Sequence, residues 1–80
     1  MKIKELKLKY NGIIERQEKA MTWFASKDFE SRFKSEGGVF FERAAMKYRI
    51  LESTRLKVLE ELDKLKVEYT TGNIIHGFDI

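Results

Sequence analysis

Apolar residues in the first third of this chain stand in alternating steps of three and four: Ile3, Leu6, Tyr10, Ile13, then Gln17, Ala20 and Phe24. Side chains three and four residues apart share one face of an α-helix, so this spacing is a coiled-coil seam with one polar residue inside it. The second half repeats the pattern with Phe41, Ala44, Tyr48, Leu51, then Arg55, Val58, Leu62, Leu65 and Tyr69. Asn11-Gly12 resembles a hairpin-turn signal between strands, but the stripe passes it without a change of phase. A strand would put Glu15 and Gln17 on the face of Leu6, Leu8 and Tyr10, which excludes it. The chain has no proline to stop a long helix. The spacing therefore predicts two helices, over about 2–35 and 38–70, each on the order of 50 Å long.

Between them lie Ser35, Glu36, Gly37 and Gly38, a link short enough to force antiparallel neighbours. A phosphate-binding loop needs a preceding strand and a Gly-x-x-x-x-Gly-Lys spacing, and neither is present, so Gly37-Gly38 is assigned to the hinge. Folding the chain there pairs Phe24 with Tyr48, Ala20 with Leu51, Ile13 with Val58, Tyr10 with Leu62, Leu6 with Leu65 and Ile3 with Tyr69. Gln17 then faces Arg55, so the two polar interruptions fall in one layer, a device that fixes register in coiled coils. The seam falters after Phe24, where Ser26 and Asp28 are capping residues, and a break is expected near 26–28. The expected fold is all-α: an antiparallel two-helix coiled-coil hairpin (1–71) with a short apolar C-terminal tail (72–80).

Eighty residues make one small domain with little core of its own. Ile14, Met21, Ala25, Val39, Met46, Ile50, Leu56 and Leu59 are apolar yet off the seam. Self-association into a homodimeric four-helix bundle would cover them, and so would a docked protein partner. Seven of the aromatic residues crowd the hairpin tip, as a small core or as an anchor patch. Gly72 is the expected helix stop. Beyond it Ile74, His76, Phe78 and Ile80 alternate like a strand face. That tail is expected to fold back, cross to a second subunit, or add to a partner's sheet edge.

Catalytic chemistry finds no constellation. There is no cysteine and a single histidine, His76, which leaves no metal-ligand cluster and no credible base for a serine. Glu5–Lys9, Glu15–Lys19, Glu30–Lys34 and Glu60–Lys64 are helix-stabilising pairs four apart, not acid–base pairs. The expectation is no enzyme and no cofactor. The N-terminal "MKIKELKLKY" is too charged for a signal peptide, and no run is long enough to span a bilayer, so a cytoplasmic protein with no membrane partner is expected.

The net charge is +3, with an excess in the first ten residues. Lys2, Lys4, Lys7 and Lys9 scatter around the helix, and the hairpin brings them beside Glu60, Glu61, Asp63 and Glu68, where local charge matching is expected. In shape the hairpin resembles the small RNA-binding hairpin dimers of the Rop type. That likeness implies a nucleic-acid-binding regulator as the alternative function. It is architectural and carries no shared motif. The WXG motif of the secreted hairpins is missing too, because Trp23 is followed by Phe24-Ala25. The favoured expectation is a small protein-binding module (an adaptor, assembly factor or inhibitor of the sort phages and mobile elements encode). Its contacts are expected at the tip (Trp23, Phe29, Phe33, Phe40) or the tail (Ile74, Ile75, Phe78, Ile80). A purely structural subunit is the third reading.

Overall fold

The computed structural model describes residues 2–80 as four helices: α1 (Lys2–Phe24), α2 (Lys27–Glu36), α3 (Gly38–Lys64) and α4 (Thr71–His76). No strand occurs among the described residues. The two long helices, α1 and α3, pack along each other and give the molecule its rod-like extents of 47 × 20 × 19 Å. They run antiparallel, since Phe24 meets Tyr48, Gln17 meets Glu52 and Tyr10 meets Arg55 in turn.

The first helix continues through Asn11-Gly12, as the unbroken stripe requires, and ends at Phe24. Ser26 then caps α2: its hydroxyl accepts from the Phe29 amide at 3.2 Å and donates to the Trp23 carbonyl. The expected break at 26–28 is thus a real restart. One residue, Gly37, separates α2 from α3, and its φ of 76° lies in the left-handed region that costs glycine nothing.

The far end departs from expectation. The second long helix stops at Lys64 instead of reaching 70. Lys66 takes a left-handed φ of 58°, its amide bonds to the Asp63 carbonyl at 2.9 Å, and the Val67 amide bonds to the Leu62 carbonyl at 3.0 Å. This is a Schellman turn built without glycine. A non-glycine residue there costs about 1 kcal/mol or more. Burial on the return path offsets it: Val67 and Tyr69 pack against the core instead of continuing the ladder. At this outer end Ile3 and Leu65 stay exposed, and Tyr69 reaches the core from outside the helix. Gly72 is not a helix stop either. It lies inside α4, which starts from a Thr70–Asn73 capping box.

The tail is a return strap and not a strand. Tyr10 donates its hydroxyl to the Ile74 carbonyl. The Asn11 side-chain amide reads both main-chain groups of Phe78, donating to its carbonyl at 2.8 Å and accepting from its amide at 2.6 Å. Phe78 is buried edge-on against Tyr10, with centroids 5.3 Å apart, and Lys7 lies over its ring. The core is therefore three-layered at this end: Leu6, Tyr10, Ile13 and Ile14 from α1, Val58, Leu59 and Leu62 from α3, and Phe78 from the tail. Leu59 and Ile14, which the two-helix seam left over, are buried here. No helix is long and apolar enough to cross a membrane among the described residues.

Candidate functional site at the aromatic tip

The strap reaches only half of the rod. At the tip, the last turn of α1, the whole of α2 and the first turns of α3 hold seven aromatic rings, of which Phe29 is the buried one. Its centroid lies 5.0 Å from Trp23, 5.2 Å from Phe24, 5.3 Å from Phe40 and 6.4 Å from Phe41. Trp23 also meets Phe40 nearly edge-on at 5.7 Å, and its indole N–H donates to Asp28 at 3.2 Å. Most of these contacts have the offset or edge-to-face geometry that aromatic quadrupoles favour. The break at Ser26 makes this possible, since it turns α2 so that Phe29 drops between Trp23 and Phe40.

The eight expected contact residues separate by burial. Phe29 and Phe78 are buried, with 8% and 9% of their surface exposed. Trp23, Phe40 and Ile74 are half-buried, with one side on the core and one toward solvent. Phe33 is 43% exposed, and Ile75 and Ile80 are 56% exposed. Tip and tail residues do not form one site: Phe78 docks against Tyr10 and Asn11, and only Ile75 reaches toward the tip, sharing a depression with Met21, Thr22 and Tyr48.

Three surfaces flank the aromatic cluster. A cleft of about 380 Å³ opens beside Trp23, lined by Ala20, Phe40, Ala44 and Leu51 among others, with Arg32, Arg43, Lys47 and Glu36 around it. Across the hairpin, a second depression of about 350 Å³ lies among Phe24, Phe29, Phe41, Ala45, Tyr48 and Arg49. Along the back of α3, Val39, Met46 and Ile50 are each at least 60% exposed. Helical spacing of seven and four aligns them in a stripe facing away from the core.

The register layer is richer than the expected Gln17–Arg55 pair. Buried Gln17 donates to Glu52 at 3.1 Å, and Arg55 grips the same carboxylate twice, through Nε and through Nη2 at 2.8 Å. Arg55 then donates to the Tyr10 hydroxyl at 2.9 Å. Hydrogen bonds from Arg55 and then Gln17 hold the Glu52 carboxyl at about 2, well below the usual carboxylate range. The Arg55 guanidinium is raised above its ordinary value, chiefly by Glu52. Gln17, Glu52, Arg55 and Tyr10 thus bond to one another, tying α1 to α3 in a single polar layer.

Glu15–Lys19, Glu30–Lys34 and Glu60–Lys64 close as helix-surface pairs, joined by Asp28–Arg32. The expected matching of the N-terminal lysines with the acidic end of α3 forms no ion pair among the described residues. Glu60 pairs instead with Lys64 on its own helix, Asp63 accepts from the Tyr69 hydroxyl, and Glu68 lies beyond the end of α3. No group of three or more histidine, cysteine, aspartate or glutamate side chains could hold a metal ion among the described residues. Comparison with family models, curated proteins and solved structures finds no match to this chain.

The sequence stripe places Phe41 in the seam and does not include Arg43 or Lys47. Phe41 was assigned to the seam, yet it is 51% exposed, because α2 and not α1 stands opposite it. Arg43 and Lys47 are exposed on α3 and line the cleft beside Trp23. At about 100° per residue both lie beside Phe40, Ala44 and Leu51, and that proximity was the available signal.

Proposed function

We propose that this chain is a small non-enzymatic protein-binding module, an adaptor, assembly factor or inhibitor, acting through the apolar surface of the hairpin tip. The observation that carries the reading is the exposed stripe of Val39, Met46 and Ile50 on α3, with exposed Phe33 and Phe41 on a separate side of the tip. The strap supplies a third layer at one end of the rod and α2 supplies one at the other, and neither covers the back of α3. A contiguous uncovered apolar face is a marker of an interaction surface. A second copy of the chain is one occupant that would complete a four-helix bundle, and a different protein is the other.

The test is affinity capture from a lysate, split for nuclease treatment, together with the mass of the pure protein in solution. The expected outcome is one stoichiometric protein that survives nuclease and is lost from the Met46→Lys, Ile50→Lys double variant. Both side chains point to solvent, so the variant should keep its helicity and its stability within about 0.5 kcal/mol per site. A pure protein whose mass is that of a monomer, with no nuclease-resistant partner, would remove the reading.

A Rop-like nucleic-acid regulator is the second reading. It is favoured by one observation, the absence of any ion pair joining Lys2, Lys4 and Lys9 to α3 among the described residues. It requires an affinity that falls steeply with salt, which gel shifts at two ionic strengths would measure.

A further inference from the structure

We infer that the cleft beside Trp23 binds an acidic amphipathic helix, which seats its apolar face on Trp23, Phe40 and Leu51 and pairs its carboxylates with Arg43 and Lys47. The inference rests on the protein-binding reading above and names the chemistry of the partner.

Shape is the first support. The α3 side of the cleft is Phe40, Ala44, Lys47 and Leu51, one stripe over three helical turns. That stripe is about 16 Å long at 1.5 Å per residue, a length suited to a few turns of a facing helix. Ala20 on α1 and Ala44 on α3 are small, and they make the depression between the larger rings. A volume of about 380 Å³ lies at the lower end of what small-ligand sites occupy, so the cleft takes anchoring side chains rather than a large ligand.

Charge is the second support. Three cations, Arg32, Arg43 and Lys47, stand against one anion, Glu36, a balance of +2 around an apolar floor. Arg32 already shares its charge with Asp28 at 3.6 Å. Arg43 and Lys47 form no ion pair among the described residues. They lie one turn apart on α3, about 6 Å, which is the separation of two carboxylates at i and i+4 on a facing helix. Complementary charge of this kind selects the partner and speeds encounter more than it adds affinity.

Trp23 is the only tryptophan, so its fluorescence reports on this cleft alone. The probe is a synthetic helical peptide with leucine and phenylalanine along one face and glutamates four apart beside it. A control peptide carries lysine at the glutamate positions. The acidic peptide should shift Trp23 emission saturably, and the lysine peptide should not. The R43E, K47E double variant should bind the acidic peptide on the order of tenfold more weakly. Raising salt to about 0.5 M should weaken the wild type and strengthen the charge-reversed variant, so that the two affinities converge. Equal binding of both peptides, no binding of either, or wild-type affinity in R43E, K47E would overturn the inference. Saturable quenching by a short RNA that excludes the acidic peptide would also overturn it and transfer the cleft to the nucleic-acid reading. If R43E, K47E still captures the nuclease-resistant partner, the cleft is wrong and the protein-binding reading stands. If the wild type captures no such partner, the reading itself fails, whatever the peptide does.

Discussion

Glu52 is the residue on which the polar contacts of the hairpin converge. It accepts from Gln17 on α1 and Arg55 on its own helix, and Arg55 passes the chain of bonds through Tyr10 to the Ile74 carbonyl. A carboxylate held at about 2 when folded, against an ordinary 4.5, contributes stability that is present above the higher value. That stability is lost as pH falls toward the lower one. The wild type should therefore lose more stability than Glu52→Gln between about pH 5 and about pH 2, by denaturant unfolding at matched ionic strength. Near neutral pH, Glu52→Gln should cost on the order of 1 kcal/mol, because the half-exposed carboxylate is partly screened. Parallel losses in the two proteins on acidification would show that Glu52 carries no such role. The stripe itself pointed to Gln17 and Arg55 as one layer. It gave no sign of Glu52, which falls between seam positions, or of Tyr10 as a polar hub, since a seam tyrosine reads as an apolar residue until its hydroxyl is placed.

At the scale of elements, the inner half of the ladder was legible and the outer end was not. Ile13, Tyr10, Val58 and Leu62 are the core that the repeat predicts, and Gly37 turns the chain where the pairing is centred. The stop at Lys64 had no local signature, because Lys66 adopts a glycine-like conformation for a tertiary reason, the burial of Val67, Tyr69 and Phe78 behind it. Apolar alternation in the tail likewise could not distinguish a strand from a short helix followed by one extended anchor. The anchor depends on Gly77, whose φ is 94° and whose Cβ, were there one, would stand 2.4 Å from the Asn11 side-chain oxygen. Gly77→Ala should therefore break the Asn11–Phe78 pairing and cost about 1–3 kcal/mol. Amide exchange at Phe78 should accelerate well beyond that at Phe29. Equal protection at Phe78 in the two proteins would count against a glycine-only anchor.

The whole molecule is a rod with two unlike ends, one closed over by its own tail and one open around an aromatic cluster. The repeat made the rod legible. The surplus of apolar residues made it legible that some face is uncovered, but which face followed only once the tail was seen to cover Ile14 and Leu59 and leave Val39, Met46 and Ile50. The two ends also differ in how far along the chain their partners lie. Phe29 and Phe40 are near neighbours in sequence across the Gly37 turn, whereas Asn11 and Phe78 are separated by 67 positions. Closing a long loop is entropically slower to repay than a short one, so contacts should appear in time from the tip downward. In stopped-flow chevrons, Phe29→Leu should slow folding, and Phe78→Leu should speed unfolding with little change in the folding rate. A folding limb slowed equally by Phe78→Leu would mean that the strap belongs to the nucleus. In the expected order, the rod has a preferred way of coming apart: the strap lifts first, on a faster clock than global unfolding, and the aromatic end is the last to let go.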